Sequence, residues 1–387
     1  MPNLSGTSKK SGRTAQQNRT EQQLGYAVAD SIEIDFLPVG KSEHSGDAIA
    51  IRWLENGKYK VMVYDGGTRD YGAALVKHIQ EHFKTNYVDY VVNSHPDNDH
   101  AGGLLHVLET LTVGELWMHR PWEYSDQIRE YFHDGRMTDD SLAKRLKQKM
   151  SAAHALEQAA LQREIPIHEP FAGDQIGIFT VLSPGKYRYV HELVPAFEKA
   201  PDLKENQSAI ASLLDAVKGA AGYVAAKWGM EYLPETVTTS AENESSAILF
   251  GAVGERGYLL TGDAGIKSLR AAATFATENG IDLPTRVTFA QIPHHGGRHN
   301  VSTETLNLLV GNPLAEMPEN QTRRAFVSAA ENAPRHPKKA VTNAFVIRGF
   351  RVVRTKGQSI CHRSPGVAKR EGWEPVSYEP FYEEIEE

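Results

Sequence analysis

Cysteine is nearly missing from this chain of 387 residues, occurring only at Cys361. One thiol cannot close an intramolecular disulfide or build a cysteine-rich zinc cluster, which excludes the disulfide-scaffold class. It fits a reducing compartment, and a cytoplasmic location is the expectation. Long apolar runs are missing as well. The richest stretch, residues 209–226, is broken by Asp215 and Lys218, so no membrane partner is expected. The first 23 residues are polar and do not read as a secretory leader. Positive charge is not in excess: Lys and Arg number 42 against 49 Asp and Glu, a net charge of −7. A nucleic acid would therefore have to find a local basic patch, because no global field attracts it. Hydrophobic residues at 40% and charged residues at 24% are ordinary globular usage. That excludes a wholly disordered chain and leaves material for a sizeable core.

Residues 1–28 read as a disordered polar tail, 29–364 as one domain, and 365–387 as a polar and finally acidic tail. Within the domain, SIEIDFLPVG alternates as a half-buried strand does. The next two strands, DAIAIRWL and KYKVMVYDGG, meet at Glu55-Asn56-Gly57 as a hairpin. VDYVVNS is a continuous apolar run, as in a strand buried on both faces. Near 123–165 the period becomes helical, with Leu142, Leu146, Met150, Ala153 and Leu156 on one face. Residues near 186–238 read as a second helical insertion. Short strands then alternate with helices through RGYLLTGDAG, RVTFAQIPHHGG, RAFVSAAEN and RVVRTKGQSIC. This is an α/β chain with sheets at the centre and helices outside.

The strongest chemical signal follows VDYVVNS. His95, Asp97, Asp99 and His100 fall within six residues at the carboxyl end of a buried strand, where clefts form in α/β folds. Two imidazoles and two carboxylates are ligands for a divalent metal, and Gly102 and Gly103 permit the turn into the next helix. Asp263 ends a second strand, and His294, His295 and His299 follow a third. Neighbours on an extended chain point oppositely. Unless the loop bends sharply, only one of His294 and His295 can then be a direct ligand, and His294 is the choice.

These pieces, in this order, resemble the metallo-β-lactamase fold, an αββα sandwich, here with helical insertions. SHPDNDHAGG resembles its metal loop, with Asp97 in place of a second histidine. FLPVG, GDAIAI, VMVYDGG, NESSAILF, TGDAG and IPHHGG resemble further motifs of the hydrolase domain of the ComEC-type competence DNA-uptake channel. AFVSAAENAPRHPKKAV resembles its closing segment. The resemblance implies two divalent ions, zinc or manganese. His95 and Asp97 would hold one, Asp99, His100 and His294 the other, and Asp263 would bridge them. It implies catalytic roles for Asp99, Asp263 and His295, and substrate contacts for His295, Arg298, His336 and Asn243. Asp65 would orient ligands from behind.

Two departures stand out. No histidine occurs between Glu192 and Gln291, where many members supply one more ligand, so the first metal would be held more weakly, or Asn243 or Glu244 would substitute. The opening turn is lengthened to GKSEHSGD, whose Glu43 and His44 reach the cleft or are simply solvated.

Two cations about 3.5–4 Å apart hold a water between them, lower its pKa toward neutrality and offset charge on attacking and leaving oxygens. The expected activity is that of a phosphodiesterase or nuclease acting on a nucleotide or nucleic-acid phosphodiester. Arg298, Arg335, Lys338 and Lys339 are candidates for holding phosphates. The alternatives are hydrolysis of a carbon ester, lactone or amide, and a non-catalytic binding or regulatory protein on the same fold.

Overall fold

The computed structural model describes residues 29–42, 44–132, 136–197, 223–334 and 336–386. Glu43, Arg335 and the tail over 1–28 lie outside them, as does 198–222 within the second insertion. In chain order the strands are β1 (Ala29–Phe36), β2 (Ala48–Glu55), β3 (Lys58–Gly66), β4 (Tyr87–Val92), β5 (Thr112–Trp117) and β6 (Ile167–His168). Then come β7 (Gln175–Ile176), β8 (Phe179–Ser183), β9 (Tyr223–Ala225), β10 (Ile248–Val253) and β11 (Arg256–Leu260). Last are β12 (Val287–Gln291), β13 (Arg323–Val327), β14 (Phe350–Arg354), β15 (Ile360–Arg363) and β16 (Glu384–Glu386).

They form two seven-stranded sheets, in the orders β15-β1-β2-β3-β4-β5-β6 and β14-β13-β12-β11-β10-β8-β7. β3, β4 and β5 run parallel in the first, and β11 to β14 run parallel in the second. The β2–β3 hairpin turns at Asn56 and Gly57, both with positive φ, as a two-residue turn between right-twisting strands requires.

The two-residue period of the strands divides the core into layers. Ile34, Phe36, Ile51, Trp53, Met62 and Tyr64 face the other sheet and meet Phe179, Leu249, Tyr258, Phe289 and Phe326. Their neighbours Ala48, Ala50, Val61 and Val63 face outward and are covered by helical residues such as Leu75, Leu104, Leu146 and Leu156. On the second sheet Leu259, Val287 and Ala325 pack beneath Leu269, Leu306 and Phe345 of three further helices. Helix, sheet, sheet, helix is the αββα arrangement, and this chain has it.

Helices Asp139–Lys149 and Ser151–Gln162 stand between β5 and β6, in the first insertion. Among the described residues no helix is long and apolar enough to cross a membrane. The stretch after residue 365, read from its polarity as a tail, is fastened to the fold. β16 pairs with β9, Ile385 is fully buried, and Arg370 meets Asp35 and Glu33 on β1. Its polar composition hid this because its anchors are ion pairs and scattered apolar side chains, Trp373, Val376, Phe381 and Ile385, with no apolar period to read.

Phe289 sits in the middle of the sandwich, with ring centroids of Phe326 and His362 at 5.1 and 4.7 Å. Phe289→Ala leaves a cavity that the two sheets cannot close and should cost about 3–5 kcal/mol, read by urea unfolding. A loss below about 1 kcal/mol would contradict this packing.

Candidate metal centre

The parallel strands of both sheets end on one edge, and the polar residues that follow them converge there. Asp65 is the penultimate residue of β3, and its left-handed φ of 58° turns the chain sharply into Gly66-Gly67. That turn lies against the loop after β4. A Cβ on Gly103 would stand 2.0 Å from the Gly66 carbonyl, so only glycine permits the approach. The approach brings Asp65 to the loop that follows β4. Asp65 accepts from Ser94 N at 2.7 Å, Ser94 Oγ at 2.6 Å and His100 Nδ1 at 2.9 Å.

These contacts fix the tautomers of the rings. Ser94 Oγ donates to Asp65, so it accepts from His95 Nδ1 at 2.9 Å. His100 Nδ1 faces a carboxylate, and His295 Nδ1 faces the Ser328 carbonyl at 3.2 Å, so both are N–H donors. In all three rings Nδ1 is committed and Nε2 points into the centre. Each of these Nε2 atoms is buried without a hydrogen-bond partner, as is Asp263 Oδ1. Buried polar atoms in proteins are mostly paired; others here also lack a partner, but these four converge on one point. Three imidazole nitrogens and a carboxylate oxygen left bare together fit divalent cations, and the donors held behind them are those that metal-ligating histidines use.

Asp263 Oδ2 lies at the middle, 3.0 Å from His294 Nδ1, 3.3 Å from His100 Nε2, and 4.0 Å from His95 Nε2 and His295 Nε2. Potential ligand atoms of His95, His100 and Asp263 lie within 4.8 Å of one another, as do those of Asp99, His100 and His295. Asp97 Oδ2 is 3.6 Å from His95 Nε2. The six residues expected to hold metal thus lie within one cluster, which His295 joins. The second group contains His295, whereas His294 is turned toward Asn243 Nδ2 at 2.8 Å and is about one-third exposed. The rule of alternating neighbours fails here because His294 and His295 both have left-handed φ, 47° and 55°. The loop bends within the pair, and both rings face the centre.

The electrostatics are those of interleaved acids and imidazoles. Burial pushes the Asp99 carboxyl up, but His100 and His295 hold it down at about 2. Burial pushes Asp263 up too, and His100, His294 and His295 bring it well below the usual carboxylate range. Burial lowers His295, yet Asp263, Asp99 and Asp47 raise it to about 9. His100 is raised well above its ordinary value by Asp263, Asp65 and Asp99 against the same burial. His336 stands 6.5 Å from His294, ring to ring, and is lowered to about 4 by burial and then by the charges of His295 and His294.

Other expected residues sit differently. Arg298 donates to the Glu386 carbonyl at 3.2 Å, so its guanidinium is directed at the C-terminal strand. Lys339 lies over the Tyr382 ring. Glu244 cannot stand in for the absent histidine: its carboxylate accepts from Ser268 N at 2.7 Å and pairs with Arg188 at 3.3 Å. Asn243 donates to Thr239 and contacts His294. His44 is exposed. Two residues were missed. Asp47 is buried 3.9 Å from His100 Nδ1, and Gln291 donates to it at 2.9 Å while accepting from Thr261 N and Gly262 N. Asp47 lies in the altered opening turn, and a glutamine at a strand end carries no ligand signature.

Residues 44–181 match the family model described as metallo-beta-lactamase superfamily. This span includes the loop from His95 to His100 and stops short of Asp263. The match spans 138 of the 387 residues, and two packed sheets with helices outside are consistent with the metallo-β-lactamase fold. Among solved structures the chain is similar to a mutant of the CmlA beta-hydroxylase, at 12% identity and a TM-score of 0.33. The alignment covers 93% of this chain and 60% of that one, so the chain spans under two thirds of that structure. No curated protein matches the chain.

Asp65→Ala strands three donors in a buried site and should cost about 2–4 kcal/mol, with metal affinity lowered about 10–100-fold. Chemical denaturation and metal titration check the two effects, and wild-type affinity would show that Asp65 does not orient His100.

A second prediction concerns protons. His295, raised to about 9, carries a proton at neutral pH that an entering cation must displace. Manganese or zinc uptake should therefore release protons and tighten as pH rises from about 6 toward about 9. Calorimetry in buffers of different ionisation enthalpy measures the release, and a buffer-independent heat would refute it. In the metal-free protein this raised imidazole stabilises the fold fully below its unfolded value of about 6.5, and loses that contribution as pH climbs through about 9.

Proposed function

We propose that the protein is a metal-dependent phosphodiesterase or nuclease. The observation that carries this reading is the convergence of bare His95, His100 and His295 Nε2 atoms on the Asp263 carboxylate. His95 and Asp97 would hold one divalent ion, and Asp99, His100 and His295 the other, with Asp263 shared. Manganese or zinc there would lower the pKa of water and offset charge on phosphoryl oxygens.

The protein's own residues set the geometry. Asp65 and Ser94 orient His100 and His95 through their Nδ1 atoms, and the Ser328 carbonyl orients His295. Asn300 donates to the Asp263 carbonyl at 2.8 Å and steadies the shared acid. His294 and His336 stand on the open side. His336 is held neutral, so it can give one hydrogen bond to a substrate oxygen or take a proton from one. The oxygen-rich donor set, with Asp97 where a histidine is usual, supports manganese as well as zinc. The resemblance of the same loop to the competence hydrolase domain supports a phosphodiester substrate.

Purified protein loaded with manganese or zinc should cleave single-stranded DNA or a cyclic dinucleotide. Asp99→Ala combined with His100→Ala should abolish turnover and lower metal uptake by about one ion per chain while leaving the circular-dichroism spectrum unchanged. Cleavage of a lactone alone would move the assignment to carbon esters. Less than one ion per chain after supplementation would point to a binding protein instead.

A further inference from the structure

The edge of the sandwich opposite the metal centre holds a cavity of about 560 Å³ between the sheets and the segment after β15. Its walls include Arg256 at the start of β11, Arg324 near the start of β13, and Arg363 at the end of β15. Asp263 and Ser328 follow the far ends of β11 and β13, so strand length alone separates cavity and centre by roughly 15–20 Å.

The cavity is strongly cationic. Arg256, Arg324, Arg363, Lys369 and Arg370 line it against one acid, Glu374. Arg370 is neutralised by Glu33 at 3.0 Å and by Asp35. The other four have no carboxylate within ion-pair distance among the described residues. Backbone carbonyls hold two of them in place: Arg324 donates to Gln321 O at 2.8 Å and Arg363 to Val367 O at 3.2 Å. Those contacts aim the guanidinium groups without cancelling their charge. His362 lies among them against Phe289, held neutral by burial first and then by the charges of Arg324, Arg256 and Arg363.

Like charges gathered around one cavity destabilise a fold unless something answers them. Guanidinium forks on fixed carbonyl anchors suit phosphate oxygens. The volume falls within the range of small-ligand sites and exceeds what a single inorganic phosphate fills. We infer that this cavity is a second ligand site, remote from the metal centre, for a small anion carrying two or more phosphate charges. Its source is inorganic polyphosphate or a nucleoside phosphate.

Full-length protein freed of metal by chelation should be titrated calorimetrically with sodium pyrophosphate and, separately, with ADP. Pyrophosphate should bind, and the double variant Arg363→Ala, Lys369→Ala should weaken it about tenfold or more. Lys369→Arg should keep the affinity, and Asp99→Ala at the metal centre should leave it unchanged. In anion-free buffer the double variant should melt no lower than wild type, since it removes repulsion. Pyrophosphate should raise the melting temperature of wild type and not of the double variant. Binding of both ligands supports a nucleoside phosphate, and binding of pyrophosphate alone supports the inorganic anion. Absence of saturation by either at millimolar concentration overturns the proposal. So does binding that Asp99→Ala removes and the double variant does not.

Discussion

The centre rests on one carboxylate surrounded by imidazoles. Asp263 lies within 4.0 Å of nitrogens from His95, His100, His294 and His295, which arrive from both sheets. Buried acids and buried imidazoles each pay a desolvation penalty alone, and here each offsets the other's. The arrangement asks the fold to end β4 beside β11 and β12 on one edge. The three core layers achieve this by locking the register of the sheets face to face. It also asks for ring nitrogens that cannot choose their partners, which Asp65, Ser94 and the Ser328 carbonyl supply. The chemistry of the open side is therefore set from beneath.

Much of this was legible in the chain. The alternation in SIEIDFLPVG, the Asn-Gly turn and the apolar VDYVVNS run report local geometry directly, and the strands fall where they point. The loop from His95 to His100 was legible because four ligand types within six residues are rarely anything else. What stayed hidden depends on tertiary position. That His294 and His295 both face the centre turns on two left-handed residues, which a histidine pair does not announce. Asp47 and Gln291 lie 244 positions apart, and no spacing rule joins them. Arg298 looked available for phosphate because its neighbours are histidines and glycines, yet its partner is the carbonyl of Glu386.

The second insertion and the C-terminal segment show how polar sequence can still be structural. β9 and β16 form a small separate ribbon, and Glu386 also accepts from Lys339 N at 3.0 Å, at the start of the helix Lys339–Val346. A helix whose first donors are met by an acid from the end of the chain is fixed by that chain end. Lys338, at the turn before this helix, follows the His336-Pro337 step on the open side of the centre.

That geometry bears on how the protein can be joined to anything else. A bulky group attached at Glu386 would stand next to the histidine-lined rim, where it crowds ligands or adds stray imidazoles of its own. β1 runs toward the rim from the opposite edge, so a label on Ala29 itself stands away from the rim.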